Sequence, residues 1–517
     1  MAMTDAPDSV ASEPVVGPAT GGGRSHHRVA IIGAGLGGLG SAIALRRAGI
    51  DDLVILERAD DVGGVWRDNA YPGIQCDVPS HLYCFSFEPK PDWSRSFGVG
   101  DEIRQYLEHC ADRYGLRGSI RFGTTVADAR WDDVAQRWEL DTDRGAITAD
   151  IVVAAIGGLS EPAIPELPGI ESFEGTAFHS AGWRHDHDLT GERVAVIGTG
   201  ASAIQFVPEI QPRVGHLDVY QRTPPWVVPR LDRPIPVRTQ ERYRRHPWLQ
   251  RAARSSIYWG RELLVLGFTK YPSLLRRGED GARKLLEAQV EDPELRAKLT
   301  PSYSLGCKRV LLSNDWYPAL TQPNVDVVTD GIAEVRPHSI VTTDGTERPI
   351  DTIIYGTGFK ATTHPAHEHL HGRDGRSLAE CWGDGGMAAY KGTTVAGFPN
   401  LFLITGPNTG LGHSSMVFMM ESQFSYLVDA VRTMDGLGIG TIEPRPDVQA
   451  AHNEHLQERL ARTVWNTGGC ASWYLDAEGR NPTLWPGFTW QYRLALRRFD
   501  AGAYVLGARR PAPTVTA

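Results

Sequence analysis

The stretch from Arg28 to Glu57 constrains the fold more than any other part of the sequence. An apolar run enters the glycine turn Gly33-Ala34-Gly35-Leu36-Gly37-Gly38, a helix pattern follows, and a second apolar run ends on Glu57. In a strand–turn–helix–strand unit, Gly33 allows the tight turn, Gly35 lets a pyrophosphate approach the backbone, and Gly38 lets helix and strand pack closely. The pattern predicts a dinucleotide-binding domain in which Glu57 binds the ribose.

A second unit of the same kind lies further along the chain. The apolar run Arg193 to Ile197 leads into Gly198-Thr199-Gly200-Ala201-Ser202-Ala203. We expect Gly198, Gly200 and Ser202 to border a second pyrophosphate. The next strand ends on Gln221-Arg222-Thr223, where the first unit has an acid. An acid would repel a ribose 2′-phosphate, whereas Arg222, with Thr223 beside it, would attract one. The first unit is therefore predicted to bind FAD and the second NADPH.

These two units predict an α/β fold with two Rossmann-like dinucleotide-binding domains and a helical insertion in the second. Stretches rich in proline and glycine suggest the boundaries, because such residues interrupt regular structure. The predicted parts are a disordered leader at 1–26, the first part of the FAD-binding domain at 27–160, the first part of the NADP-binding domain at 161–228, the helical insertion at 229–300, and the second parts of the NADP- and FAD-binding domains at 301–360 and 361–517.

Composition and charge narrow the class of protein. A net charge of −9 argues against a nucleic-acid surface, and the longest apolar stretches are too short to cross a bilayer. The six cysteines include no CxxC pair, which excludes a flavin disulfide reductase and predicts reduced thiols in the cytoplasm. His364, His367, His369 and His371 fit no standard zinc spacing, so no metal site is predicted.

Three further stretches are more specific than the glycine turns. They are Phe173-x-Gly175-xxx-His179-xxx-Trp183, Gly63-Gly64-x-Trp66-xxxx-Tyr71-Pro72-Gly73-xxx-Asp77, and Gly306-Cys307-Lys308-Arg309. With them, the chain resembles the type I Baeyer–Villiger monooxygenases of the flavin-containing monooxygenase superfamily, over nearly all of its length after the leader. One departure is Arg184, which stands where the family expects Pro or Asp.

The resemblance implies roles for particular residues. Gly64 and Trp66 would bind the flavin, and Lys308 and Trp473 the nicotinamide coenzyme. Arg309 would be the catalytic cation, oriented through a bidentate pair by Asp77, which also borders the flavin. A flavin C4a-peroxide must remain anionic to attack a ketone, and an arginine stays protonated at working pH. The implied activity inserts one oxygen atom, from O2, beside a ketone carbonyl and gives an ester or lactone.

Two other functions remain open on the sequence. Flavin-containing monooxygenases that oxygenate the sulfur or nitrogen of small molecules need no Asp–Arg pair, so Asp77 and Arg309 favour ketone oxidation over this alternative. The second alternative is a flavin-binding redox sensor without turnover. The same pair argues against it, because a protein without catalysis has no need of the pair.

Overall fold

A computed structural model describes residues 25–510, apart from the side chain of residue 384. Most of the predicted leader, residues 1–24, lies outside the described part of the chain, as do residues 511–517. The predicted end of the leader at residue 26 is slightly late. Ser25 and His26 already belong to the first strand, where they pair with Ile147 and Thr148.

The strands are mostly short, and the buried parts of the central ones are largely apolar because both faces of their sheets are covered. In chain order they are β1 (Ser25–Ile32), β2 (Leu53–Leu56), β3 (Gln75–Pro79), β4 (Phe97–Val99), β5 (Ile120–Arg121), β6 (Val126–Asp132), β7 (Arg137–Thr142), β8 (Ile147–Ala154), β9 (Thr176–His179), β10 (Arg193–Ile197), β11 (His216–Tyr220), β12 (Val227–Val228), β13 (Leu311–Leu312), β14 (Val325–Val328), β15 (Ile332–Arg336), β16 (Ser339–Thr342), β17 (Glu347–Pro349), β18 (Thr352–Tyr355), β19 (Leu370–His371), β20 (Leu401–Leu403), β21 (Ile439–Pro444) and β22 (Tyr504–Ala508).

The helices either cover the sheets or form the insertion. In chain order they are α1 (Leu36–Arg47), α2 (Val65–Asp68), α3 (Gly100–Arg113), α4 (Ala203–Ile210), α5 (Val237–Arg245), α6 (Pro247–Glu262), α7 (Val265–Thr269), α8 (Arg276–Gln289), α9 (Pro293–Lys298), α10 (Trp316–Leu320), α11 (Leu378–Trp382), α12 (Met416–Leu437), α13 (Pro446–Leu460), α14 (Val464–Thr467) and α15 (Thr489–Ala495). Within residues 25–510, none of them is both long and apolar enough to cross a membrane.

The first sheet is built around β1. This strand pairs in parallel with β2 on one side and with β8 on the other, and β8 also pairs with β20. An antiparallel extension through β7 and β6 reaches β19, while β5 forms the opposite edge. Since β19 and β20 come late in the chain, the C-terminal part contributes strands to this first sheet.

The second sheet has five parallel strands in the order β14-β11-β10-β18-β9. Strand β10 begins and ends at the residues of the apolar run that precedes the second glycine turn. Between β12 and β13 the chain forms α5 to α9, the predicted helical insertion. At the start of α9, the Asp292 carboxylate accepts a hydrogen bond from the Glu294 N–H at 2.9 Å and so caps the helix.

The segment after β2 is rich in glycine and proline, but it is not one continuous loop. Gly63 and Gly64 have φ angles of 128° and 53°, a conformation that glycine adopts at little cost. The chain then forms the short helix α2, which includes Trp66, and the strand β3, which carries Asp77. A side-chain hydrogen bond of 3.0 Å from Asn69 to the Val65 carbonyl stabilises the helical turn.

The prediction that all six cysteines are reduced thiols is wrong for one pair. Cys307 and Cys470 form a disulfide across 163 residues of sequence. The remaining cysteines, Cys76, Cys84, Cys110 and Cys381, are free. Cysteine spacing could not reveal the pair, because only folding brings the two distant segments within bonding distance.

Candidate active site

The first glycine turn forms an open cradle at the start of α1. A Cβ at Gly33 would lie 2.7 Å from the Ala155 carbonyl oxygen, and one at Gly38 would lie 1.8 Å from the Gly33 oxygen. A Cβ at Gly35, in contrast, would meet only the Gly64 backbone, at 3.5 Å from its Cα. Helix α1 has neither a side-chain cap nor an acid in its first turn. Its first N–H groups therefore fit an anionic pyrophosphate.

Glu57 ends the first βαβ unit as predicted, but its carboxylate already has protein partners. It accepts hydrogen bonds from the N–H groups of Ala34 at 2.7 Å and Ala59 at 3.0 Å, and Arg67 lies 3.3 Å away. The buried carboxylate thus fixes the glycine turn directly. Its predicted contact with a ribose stays a prediction.

The second glycine turn forms a similar cradle at the start of α4. Gly198 has a φ of 110°, and a Cβ there would lie 2.5 Å from the Gly356 carbonyl oxygen. At Gly200 the nearest atom to a Cβ is that same oxygen, at 3.9 Å, so the space in front of Gly200 is open. Helix α4 lacks a side-chain cap at Ser202 and has no acid in its first turn. The second cradle therefore also fits a pyrophosphate.

Arg222 and Lys308 come together beside the second cradle. Burial, and then the positive charge of Arg222, lower the pKa of Lys308. Thr223 adjoins the glycine turn, since its carbonyl oxygen lies 3.5 Å from the Thr199 hydroxyl. Two neighbouring cations are suited to bind a phosphate group.

The predicted pair of Arg309 and Asp77 is present. Arg309 donates from Nε and Nη2 to the two carboxylate oxygens of Asp77, each at 2.7 Å, although 232 residues separate them in sequence. The side chains of Arg309 and Asp77 are 39% and 25% exposed, so the pair lines a cleft and is not sealed in the core. This geometry fixes the plane of the guanidinium group.

Two further arginines, which sequence reasoning missed, face the same carboxylate. Burial alone would raise the pKa of Asp77, but Arg309, Arg261 and Arg230 together hold it below its usual value. Arg261 comes from α6 of the insertion and donates from Nε to the His413 carbonyl oxygen at 2.8 Å. No sequence signal marks Arg261 or Arg230, because their place at the site depends on how the insertion packs.

Two tryptophans predicted to bind the cofactors are each linked to this cluster through a tyrosine. The Trp66 indole donates to the Tyr83 hydroxyl at 3.2 Å, and Tyr83 interacts electrostatically with Asp77. Trp473 is 45% exposed and packs against Tyr474, with ring centroids 4.6 Å apart. Tyr474 is buried and interacts electrostatically with Arg309. The structure therefore gathers the predicted catalytic pair and both tryptophans into one region.

We expect Asp77 to stay ionised at every working pH. Its folded-state pKa is lowered, so ionised Asp77 stabilises the fold above the unfolded-state pKa of about 4, and this contribution is lost as the pH falls through the folded-state value. Unfolding free energies of the wild type and Asp77→Asn, measured from about pH 7 down to pH 2, should differ by a constant amount above about pH 5. The difference should shrink only below about pH 4, and a change between pH 5 and 7 would contradict the lowered pKa.

A cavity of about 740 Å³ opens beside the site. Its lining includes Tyr71, Gln205, Arg230 and Asp232, but neither Asp77 nor Arg309. Polar and charged side chains dominate this lining. The predicted catalytic pair is therefore not part of the lining of this cavity.

Two dinucleotide cradles together with a fixed Arg309–Asp77 pair fit the class of pyridine-nucleotide-dependent flavoprotein monooxygenases. A family model described as flavin-binding monooxygenase-like matches residues 26–246. A Baeyer–Villiger monooxygenase of Streptomyces coelicolor is 54% identical over 94% of each chain, and one of Pseudomonas aeruginosa is 51% identical over 93% of this chain and 92% of its own. The chain therefore belongs to the Baeyer–Villiger monooxygenases, as the sequence motifs predicted.

A solved structure supports the same assignment at the level of the fold. The crystal structure of the OTEMO complex with FAD and NADP is similar to this chain with a TM-score of 0.84 at 26% identity. The similarity covers 94% of this chain and 100% of that one. The α/β fold with two Rossmann-type sheets is thus confirmed.

Proposed function

We propose that this protein is an NADPH- and O2-dependent flavoprotein monooxygenase that inserts one oxygen atom beside a ketone carbonyl and gives an ester or lactone. The bidentate pair of Arg309 and Asp77 supports this function best. The pair holds a permanent positive charge in a fixed orientation, which the proposed reaction requires. A protein that only senses redox state would not need such a charge.

The residues around the cradles divide between two cofactors. FAD would contact Gly33, Gly35, Gly38, Glu57, Gly64, Trp66 and Asp77, and NADPH would contact Gly198, Gly200, Ser202, Arg222, Thr223, Lys308 and Trp473. Reduced FAD supplies the reaction with O2. Arg309 would stabilise the negative charge that develops on the reacting oxygen atoms, and Asp77 would hold the guanidinium group in place.

Product analysis tests the proposed reaction. The purified enzyme with NADPH and O2 should convert members of a ketone panel into products that are one oxygen atom heavier. Sulfides belong in the panel, because oxygenation of sulfur needs the same cofactors but not Arg309. NADPH consumption that yields only hydrogen peroxide with every ketone would contradict the proposal, and products from sulfides alone would favour the sulfur-oxygenating alternative.

Arg222→Ala should reduce the preference of the enzyme for NADPH over NADH. A lost charge-assisted contact costs about 1.5–3 kcal/mol, or roughly a tenfold to hundredfold change in relative affinity. The ratio of kcat/KM for the two coenzymes measures this preference. Arg213→Ala, at an exposed arginine beyond α4, is the matched control and should leave the ratio unchanged. An unchanged ratio in Arg222→Ala would show that Arg222 does not face the 2′-phosphate.

We also propose a cytoplasmic location for the protein. Four of its cysteines are free, and Cys76, Cys84 and Cys110 among them are buried. Free thiols are typical of proteins in reducing compartments. Cell fractionation followed by immunodetection tests this location.

A further inference from the structure

The Cys307–Cys470 disulfide joins the two segments that carry the predicted coenzyme contacts. Cys307 directly precedes Lys308 and Arg309, and Cys470 lies shortly before Trp473. The backbone strengthens this junction, because the Ser304 N–H donates to the Gly468 carbonyl oxygen at 3.0 Å. One covalent bond therefore holds the C-terminal loop, which contains Cys470 and Trp473, against the segment that carries Arg309.

The two sulfur atoms differ in their access to solvent. Cys307 is 1% exposed and packs among Trp226, Tyr303 and Leu305, whereas Cys470 is only partly buried. A thiolate from solution can therefore reach the disulfide most easily at Cys470. In a compartment that keeps other thiols reduced, disulfides are usually redox-sensing or catalytic and not permanent.

We propose that Cys307–Cys470 is a redox modification site whose co-reactant is a reducing dithiol, and that its state controls how firmly the C-terminal loop holds the nicotinamide coenzyme. The inference rests on the proposed function, since it assumes that Lys308 and Trp473 contact this coenzyme. In the oxidised protein the loop is fixed in place. In the reduced protein the loop can move away from Lys308, so part of the coenzyme site must be ordered anew on each binding event.

Reduction of the Cys307–Cys470 disulfide by a dithiol needs no further reactant. A thiolate of the dithiol attacks the Cys470 sulfur and expels the Cys307 thiolate, which takes up a proton. The second thiolate of the dithiol then releases Cys470 as a thiol and closes its own disulfide. In the reverse direction, hydrogen peroxide oxidises the two thiols to the disulfide and is itself reduced to two molecules of water.

Thiol counting tests whether the site exists. Protein purified without reductant and treated with one equivalent of hydrogen peroxide is denatured and titrated with a thiol reagent. Four of the six cysteines should react, and all six should react after treatment with dithiothreitol. Six reactive thiols before reduction would overturn the inference.

Binding of NADP+ to the folded, FAD-loaded enzyme tests whether the site controls the loop. Reduction with dithiothreitol should weaken NADP+ binding about threefold to tenfold and should speed proteolysis within the loop around Cys470. Cys470→Ser should bind NADP+ like the reduced wild type and should not respond to dithiothreitol. Cys381→Ser, which removes an exposed free thiol, is the matched control and should respond like the wild type.

Failure of the proposed function and failure of the redox inference would give different results. If the oxidised wild type does not bind NADP+ at all, the proposed function fails. If it binds NADP+ but reduction changes neither the affinity nor the proteolysis, the disulfide has only a structural role and the inference is overturned.

Discussion

Arg309→Ala is expected to lower the rate of ester formation from ketones by about a hundredfold to a thousandfold, while FAD remains bound. The substitution removes the cation that faces the reacting oxygen atoms, and loss of one preorganised electrostatic contact of this kind typically costs that much in kcat. It touches neither glycine turn, so flavin content should be normal. NADPH should still be consumed, with hydrogen peroxide as the product.

Companion variants separate the charge of Arg309 from its orientation. Arg309→Lys keeps the charge but loses the bidentate geometry, and Asp77→Ala leaves the charge without its partner. Both should retain more ester formation than Arg309→Ala. We expect that any oxidation of sulfides by the wild type survives in Arg309→Ala. If this variant still made ester at the wild-type rate, Arg309 would not be the catalytic cation.

Gly35→Val should produce a folded protein that purifies without FAD. The Cβ of residue 35 would meet only the Gly64 backbone, at 3.5 Å, so the protein itself tolerates it at this point. The larger valine side chain would instead fill the space that the pyrophosphate needs next to α1. Overpacking of this kind costs about 1–3 kcal/mol. A cost of about 3 kcal/mol would weaken FAD binding roughly a hundredfold.

The flavin absorbance per protein measures the FAD content, and the circular dichroism spectrum of the same sample measures folding. Gly118→Ala, at an exposed glycine with open space around it, is the control and should be yellow and folded. Gly38→Val should differ from both, because its Cβ would lie 1.8 Å from the Gly33 oxygen and would prevent the turn from closing. A yellow Gly35→Val protein with full flavin content would move the FAD site away from this turn.

The sequence alone determined the parts of the structure that depend on residues close together in the chain. The two glycine turns and the strand β10 agreed with the structure. A strand, a turn or a helix start depends on residues a few positions apart, so hydrophobic period and glycine placement suffice to identify it. The motifs likewise identified Asp77 and Arg309, because each stands at a fixed offset within a recognisable stretch.

Only the tertiary structure decided which distant residues meet. It placed Arg261 and Arg230 around Asp77, turned the Glu57 carboxylate to the backbone of its own glycine turn, and joined Cys307 to Cys470. The insertion and the C-terminal loop reach the site by packing, and packing depends on the shape and burial of many side chains at once. No local pattern in one sequence records these contacts, since their geometry exists only after the chain has folded.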